Sequence, residues 1–274
     1  MSRSAIDSSS VSLLSPTPMS GIKGIQTFVT TRYGGCSRGT YSSFNCSPYC
    51  GDDPACVADN TKMLLTLLGG YPFPLILPHQ VHDTVVRCID TDFLHLNPDE
   101  QCTALEGVDA LITDSSSCAL CVSTADCLPV FFYDSVHRAV GMVHSGWRGT
   151  VGHIALCTLR AMQETYGTSP QEVRVAFGPC ISQTAFEVGD EVYEAFASES
   201  FPMERIAVRY SKSGKWHISL QEAVRSDLQA AGVNDRCIEL SARCTYTEHT
   251  DFFSARRLGI SSGRILSGIF LTNS

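Results

Sequence analysis

Three short polar segments, each at the edge of an apolar run, constrain the fold of this chain more than any other feature. Each contains one soft or borderline metal ligand: His82, Cys127 or His144. Two imidazoles and one thiolate would hold a zinc ion and leave its fourth position open for water or substrate. Since the three ligands are far apart along the chain, a shared ion requires a fold in which the three segments converge. The segments are Gln80-Val81-His82, Ala125-Asp126-Cys127-Leu128-Pro129 and His144-Ser145-Gly146-Trp147-Arg148-Gly149.

The apolar runs themselves predict short strands and a few helices. Polar residues 134–138 predict a hairpin turn between strands at 129–133 and 139–144, which would bring Cys127 and His144 together. The clearest helix is predicted over 150–166, where apolar residues recur at helical spacing before Gly167. The other predicted strands are 25–30, 85–89, 110–113, 119–123, 173–177 and 264–271, and the other predicted helices are 59–68, 190–197 and 220–231.

The order of these elements indicates a fold class. Strands and helices do not alternate as regular β-α-β units, so we expect an α+β fold of packed layers rather than a doubly wound sheet. One domain is expected over residues 21–274. Residues 1–20 are rich in Ser and Pro and are expected to form a poorly ordered leader with little fold content.

Composition argues against several classes of protein. The 274-residue chain has a formal charge of −8, which disfavours a nucleic-acid or anionic-membrane partner. No apolar run approaches the roughly 18 residues that span a bilayer, and the first residues do not resemble a secretory signal. Thirteen cysteines, an odd number in a long chain, favour reduced thiols and a cytoplasmic location. An anionic substrate would need a local basic cluster.

Several side chains near the three segments are candidates for binding such a substrate. Arg148 precedes the predicted helix at 150, where backbone amides and a guanidinium can together bind phosphate or carboxylate. Arg32 and the Arg256-Arg257 pair are further candidate cations. Phe186 could stack on a base or ring, and the Glu187 carboxylate could accept hydrogen bonds from sugar hydroxyls or from an exocyclic nitrogen.

The residues alone leave alternatives open. Taken singly, each proposed ligand is more often a packed or hydrogen-bonded residue, and His79 is a rival ligand through the short spacing His79-x-x-His82. Asp126 is either a proton-transfer group or a residue that orients a ligand. The general base is not identifiable from the sequence.

Taken in order, the motifs resemble those of the laccase-domain, YfiH-type family, also called polyphenol oxidase or purine nucleoside phosphorylase. The resemblance extends from Thr30 to Leu271. Three positions depart from the usual pattern: Asp83 and Ser145 stand where Gly and Ala are common, and Ala255 stands where Tyr often occurs. The motifs are Thr31-Arg32-x-Gly-Gly, Tyr41-Ser-Ser-Phe-Asn45, Gly51-Asp52-Asp53, Gln80-Val81-His82, Ala125-Asp126-Cys127-Leu128-Pro129, His144-x-Gly-Trp-Arg148-Gly149, Gly178-Pro179-x-Ile181, Glu187-Val188, Cys244-Thr245-Tyr246, Phe253-Ser254-x-Arg256-Arg257 and Gly263-Arg264.

The resemblance implies a single-domain α/β/β/α sandwich with mixed sheets, similar also to a bacterial toxin deamidase. It implies a zinc site formed by His82, Cys127 and His144, which disfavours His79. It also implies phosphorolysis of adenosine, inosine, guanosine and methylthioadenosine, with deamination of adenosine. The candidate catalytic residues are then Cys127, His144, Arg148 and Asp126, and the candidates for binding substrate or phosphate are Arg32, Asn45, Arg148, Phe186, Glu187, Arg256 and Arg257.

Other functions are weighed against this one. A metal-free cysteine hydrolase or amidase, such as an editing enzyme for peptidoglycan precursors, would use Cys127 as nucleophile and His144 as base. It has no need of His82, so the Gln-Val-His motif favours metal. The eight histidines contain no His-x-His pair of the kind found in multicopper clusters, so copper is expected only as an adventitious substitute for zinc. A non-enzymatic binding role is a further alternative without a supporting motif.

Overall fold

Two mixed β-sheets packed face to face form the centre of the molecule. The computed structural model describes residues 12–16, 19, 21–71, 73–211 and 213–272. The strands are β1 (Leu13–Leu14), β2 (Ile25–Thr30), β3 (Leu75–Ile76), β4 (Val86–Cys88), β5 (Ala110–Thr113), β6 (Ala119–Thr124), β7 (Leu128–Asp134), β8 (Ala139–Ser145), β9 (Arg174–Phe177), β10 (Glu187–Val188), β11 (Ala207–Arg209), β12 (Trp216–Ile218), β13 (Ile238–Glu239) and β14 (Ile265–Leu271).

Helices flank these sheets. They are α1 (Pro54–Leu67), α2 (Thr91–His95), α3 (Pro98–Ala104), α4 (Trp147–Val151), α5 (Ile154–Tyr166), α6 (Asp190–Ser198), α7 (Met203–Ile206), α8 (Leu220–Ala230) and α9 (Ala255–Leu258). Within the described part of the chain, none of them is both long and apolar enough to cross a membrane.

The first sheet has the strand order β1-β2-β14-β6-β3, and the second has β13-β9-β7-β8-β5-β4. Most neighbours are antiparallel, whereas β3–β6, β4–β5 and β9–β13 are parallel, so both sheets are mixed. A small third sheet is formed by β10, β12 and β11.

Alternation of side chains along the strands separates the core into layers. In β7, Phe131 faces the first sheet, while Phe132 belongs to the cluster that includes α5. On the other side of the molecule, Phe28 and Phe270 of the first sheet pack with Leu64 of α1. Because successive side chains of a strand point to opposite faces, each sheet contributes to two cores. The expected α/β/β/α sandwich is therefore confirmed.

The predicted hairpin turn is also confirmed, and its register positions the site. Asp134 pairs with Ala139 at the turn, and Leu128 pairs with Ser145 at the open end. Cys127 directly precedes β7, so the hairpin brings it beside the end of β8, where His144 lies.

The prediction of one continuous helix over 150–166 is wrong, because the structure has two helices there, α4 and α5. Between them His153 adopts a left-handed backbone with φ 60°. A Cβ at Gly152 would lie 2.5 Å from Thr84 Cγ2, so the chain passes close to a neighbouring loop at this point. Apolar periodicity does not detect the break because residues on both sides still face the core.

Two further segments differ from the predictions by more than one or two residues. The helix predicted over 59–68 begins earlier, at Pro54, because the Asp53 side chain accepts from the Ala55 amide and proline fits a first helical turn. Part of the expected leader is paired with the first sheet, since Leu13 and Leu14 form β1 against β2, and Met19 is buried. Residues 1–11, 17, 18 and 20 of that leader lie outside the described residues.

Candidate metal centre

The side chains of His82, Cys127 and His144 meet at the open end of the β7–β8 hairpin. One ligand atom from each lies within 4.8 Å of the others. Cys127 Sγ and His82 Nε2 are 3.7 Å apart. Zinc–sulfur and zinc–nitrogen bonds at a tetrahedral angle would hold these two atoms about 3.6 Å apart. The donor set therefore fits one shared zinc ion, and the distance between the sulfur and His82 Nε2 agrees with it.

The loop that contains His82 is held by two side chains from other parts of the fold. Gln80 Nε2 donates to the carbonyl of Ser123 in β6, and its Oε1 accepts from the Ser123 amide. Asp109 accepts from the backbone amides of Val81, His82 and Asp83, at distances of 2.9–3.1 Å. These bonds stabilise the left-handed backbone of His82, which has φ 66°.

Asp109 also orients the second histidine. Its Oδ1 lies 2.7 Å from His144 Nδ1, which leaves Nε2 of that ring as the nitrogen available to a metal. The side chain of Asp109 is fully buried and that of His144 is nearly so. A carboxylate that accepts from the far nitrogen of a ligand histidine fixes the tautomer and orientation of the ring.

Cys127 is presented by a tight turn between β6 and β7. The preceding residue, Asp126, has φ 87°, in the left-handed region. Its carboxylate accepts from Thr245 Oγ1, Ser254 Oγ and the Arg256 amide, at distances of 2.7, 3.0 and 2.7 Å. Asp126 thus ties the turn to the segment that carries α9, which supports a positioning role over proton transfer.

A glycine after β8 makes room for the ligands. A Cβ at Gly146 would lie 2.6 Å from His82 Cδ2 and 3.1 Å from Cys127 Sγ. Any larger residue would displace the ligand side chains, so the glycine of the His144-x-Gly motif is explained by this close approach.

The two histidines favour the thiolate form of Cys127. Burial by itself raises the pKa of the thiol, but the charge of His144 and hydrogen bonds from His144 and His82 outweigh burial and lower the pKa to about 6. Burial also opposes charge on His144, yet the Cys127 thiolate and the Asp109 carboxylate raise the pKa of His144 to about 9. The sulfur is therefore ionised at neutral pH, which is the form that binds metals.

The three ligands form one part of the lining of an open cavity. Among the described residues, neither Asp nor Glu lines this cavity. Its lining contains one basic side chain of the Lys or Arg type, that of Arg264. Ala255, one of the departures from the family pattern, also lines it. The full lining is Ser47, Tyr49, Cys50, His79, Gln80, His82, Ser123, Ala125, Cys127, His144, Ala255, Ile260 and Arg264.

Three of the arginines that the sequence suggests for phosphate binding lie outside this lining. Arg32 donates three hydrogen bonds to backbone carbonyl oxygens. Arg148 is exposed, and its guanidinium lies 4.3 Å from the centre of the Trp147 ring. Arg257 donates a hydrogen bond to the Tyr246 carbonyl, and its guanidinium lies 4.5 Å from the centre of the Tyr246 ring. Their contact with phosphate stays a prediction.

Three other residues predicted to bind substrate, Phe186, Glu187 and Arg256, lie together beside the metal centre. Arg256 Nη1 donates to the Glu187 carbonyl at 2.9 Å, and its guanidinium lies 5.5 Å from the centre of the Phe186 ring. The Glu187 carboxylate is 3.7 Å from His217 Nε2. This group is linked to the metal centre through Asp126, but it is not part of the cavity lining.

Asn45 is fully buried and acts through its neighbours. Its Oδ1 accepts from the amides of Ser47 and Arg264, both of which line the cavity. The structure therefore shows Asn45 supporting the wall of the site.

Two residues of the site, Asp109 and Arg264, receive no role from the sequence alone. The signal for Asp109 was weak, a charged residue immediately before the apolar run of β5. Arg264 was present in the Gly263-Arg264 motif, but its neighbours in space could not be read from that motif. His79 was disfavoured as a ligand, and the structure pairs its Nδ1 with Glu106.

Comparisons with known proteins extend over nearly the whole chain. The family described as multi-copper polyphenol oxidoreductase laccase matches residues 26–272. A purine nucleoside phosphorylase of Bacteroides thetaiotaomicron is 48% identical over 253 residues, which are 92% of this chain and 94% of that protein. Adenosine deaminase RL5, from an unknown prokaryotic organism, is 45% identical over 91% of this chain and 95% of its own length. The crystal structure of YlmD from Geobacillus stearothermophilus has a TM-score of 0.84 and 33% identity, covering 91% of this chain and 93% of that one.

In metal-free protein, Cys127 is expected to react with iodoacetamide at a rate that rises with pH around a midpoint of about 6. The thiolate is the nucleophile, so labelling is slow below this pKa and reaches its plateau above it. Timed labelling followed by peptide mass spectrometry measures the midpoint. His144→Ala should move it upward, because the charge that stabilises the thiolate is lost. An ordinary thiol midpoint in the unsubstituted protein would contradict the electrostatic account.

Asp109→Asn is expected to weaken metal binding by about 10- to 100-fold, because the ligand histidine and its loop lose their shared acceptor. Competition with a chromogenic chelator measures the affinity. Asp134→Asn is the matched control, because Asp134 is also buried and also accepts from a histidine, but at the opposite end of the hairpin. Equal loss of metal affinity in both variants would show a general effect on stability instead.

Proposed function

The chain belongs to the multi-copper polyphenol oxidoreductase laccase family, and we propose that it is a zinc-dependent purine nucleoside enzyme. It performs phosphorolysis of adenosine, inosine, guanosine and methylthioadenosine to the base and the (methylthio)ribose 1-phosphate, and it deaminates adenosine. The observation that carries the proposal is the convergence of His82, Cys127 and His144 on one cavity. It is supported by relatives named for purine nucleoside phosphorylase and adenosine deaminase activity.

Zinc is proposed as the metal from the chemistry of the donors. Two imidazole nitrogens and one thiolate are typical of catalytic zinc, and a carboxylate that orients one histidine completes the arrangement. A zinc ion with an open position acts as a Lewis acid and acidifies bound water to near neutral pH. Copper binds such donors tightly and is proposed only as an adventitious substitute. Among the described residues, these three form the one group suited to a metal, so a multicopper cluster is not supported.

Phosphate is proposed to bind near Arg264. The chain as a whole carries a formal charge of −8, so a phosphate needs a local cation. Within the described residues the cavity offers one, because Arg264 lines it and neither Asp nor Glu is part of the lining. Hydrogen bonds from the guanidinium to the carbonyls of Ile260, Ser262 and Gly263 hold Arg264 in place. Arg32, Arg148, Arg256 and Arg257 are weaker candidates because they lie outside this lining.

A second candidate function is a metal-free Cys-His hydrolase or amidase acting on peptidoglycan precursors. The observation that favours it is the series Asp109–His144–Cys127, in which a carboxylate orients a histidine whose charge lowers the pKa of the neighbouring thiol. His82 has no necessary role in that chemistry. Its position 3.7 Å from the sulfur therefore supports the zinc enzyme as the first candidate.

A cytoplasmic location is part of the proposal. All thirteen cysteines are free thiols, and a reducing compartment keeps both these thiols and a metal-binding thiolate in the required state. The proposed partners are the nucleoside and phosphate, without a nucleic acid or a membrane.

Purified protein is expected to contain about one zinc ion per chain, and Cys127→Ala is expected to lose both metal and turnover. Omission of phosphate should stop release of hypoxanthine from inosine but not deamination of adenosine, because only phosphorolysis consumes phosphate. Chromatography of the products, beside metal analysis, tests these outcomes. If a metal-free His82→Ala variant keeps the full turnover of the unsubstituted protein, the result would favour the metal-free cysteine hydrolase over the zinc enzyme. If no nucleoside is converted with or without phosphate, the substrate assignment is wrong.

Arg264→Gln is expected to lower phosphorolysis at least about tenfold, through a higher KM for phosphate, because a charge-assisted contact is lost. Deamination of adenosine should change much less, since it needs no phosphate. Initial rates at several phosphate concentrations measure both effects. Arg148→Gln provides the comparison, and a larger loss of phosphorolysis in that variant would assign the phosphate contact to Arg148 instead.

A further inference from the structure

Tyr49 and His79 form an aromatic wall on the cavity that contains the metal ligands. Their rings stack, with centroids 4.7 Å apart and planes inclined by 26°. Both residues line the cavity. Tyr49 is 43% exposed and the His79 side chain is 41% exposed. Two aromatic rings therefore remain open to a ligand beside the metal centre, and neither holds the metal.

The orientation of His79 is fixed before any ligand binds. Its Nδ1 lies 2.7 and 2.9 Å from the two carboxylate oxygens of Glu106. The backbone is held as well, because the His79 amide donates to the Leu105 carbonyl and the Gly107 amide donates to the His79 carbonyl. With Nδ1 engaged, Nε2 is the nitrogen that can contact a ligand.

Stability does not explain this arrangement. An exposed histidine–carboxylate pair contributes little to the free energy of unfolding, because solvent screens the charges. Glu106 and Asp109 lie three residues apart on one loop, and each accepts from Nδ1 of a histidine that lines the cavity. The loop thus orients one histidine for the metal and a second histidine that the metal does not use.

We propose that Tyr49 and His79 form the subsite for the purine ring, an inference that rests on the proposed nucleoside activity. A purine has flat aromatic faces that stack on such rings and is rich in edge groups that form hydrogen bonds. Ribose and phosphate have no aromatic face, and the phosphate is matched by Arg264. His79 Nε2 hydrogen-bonds an edge group of the base, Tyr49 supplies stacking surface, and Glu106 is a positioning residue that holds His79.

The test is direct binding of hypoxanthine and of inosine in the absence of phosphate, measured by titration calorimetry on the zinc-loaded protein, together with steady-state kinetics. Tyr49→Ala is expected to weaken binding of both ligands about tenfold and to raise the KM for nucleoside by a similar factor. The kcat, the KM for phosphate and the metal content should change little. Tyr49→Phe should bind normally, because stacking does not need the hydroxyl group.

His79→Phe separates stacking from hydrogen bonding. It keeps an aromatic ring in the wall but lacks Nε2, so weaker binding of the bases is expected, and Glu106→Gln should produce a smaller loss in the same direction. His95→Ala is the control, since His95 is an exposed histidine on α2 that does not line the cavity. A loss in His95→Ala equal to that in His79→Phe would overturn the inference.

The outcomes for this inference and for the proposed function are distinguishable. Unchanged base binding in both Tyr49→Ala and His79→Phe would overturn the subsite even if the protein converts nucleosides. Absence of base binding to the unsubstituted protein would overturn it as well. Base binding that depends on Tyr49 and His79, in a protein that converts no nucleoside, would support the subsite and reject the proposed reactions alone.

Discussion

The site depends on one buried carboxylate. Asp109 is completely inaccessible to solvent and accepts four hydrogen bonds, from three consecutive amides of the His82 loop and from the His144 ring. A carboxylate has about four acceptor positions, so its capacity is filled. Burying a charge without such partners is strongly unfavourable. The loop and the end of β8 are therefore held together by the same group that orients a metal ligand.

The ionisable groups of the site stabilise one another's charged forms. Asp109 and the thiolate of Cys127 both favour protonation of His144, while His144 in turn lowers the pKa of the thiol. A metal ion that replaces the proton between sulfur and imidazole would find both donors already oriented. Beyond this centre the cavity wall offers Arg264 and no carboxylate among the described residues. Arg264 is therefore the charge proposed to attract an anionic substrate.

The multi-copper name of the family describes a chemistry that these ligands do not suit. Several copper ions require many histidines, whereas the described residues bring together two histidines and one cysteine. The turn before Cys127, the loop of His82 and the end of β8 each contribute one candidate donor. Asp126 holds the turn, whereas the loop and the end of β8 share the carboxylate of Asp109. Three donors held in this way suit one ion better than a cluster.

The sequence by itself predicted an α+β fold, the β7–β8 hairpin and three candidate metal ligands. Apolar periodicity and turn residues are local properties, so strands such as 110–113 could be read directly, and the candidate ligands stood out by their chemistry. Only the tertiary structure decided that Asp109 orients His144, that Asn45 supports the wall containing Arg264, and that Glu106 holds His79. It also decided the break at Gly152, where Thr84 approaches the chain. These features depend on hydrogen bonds and close contacts between segments far apart in the sequence, and no local pattern of side chains encodes such contacts.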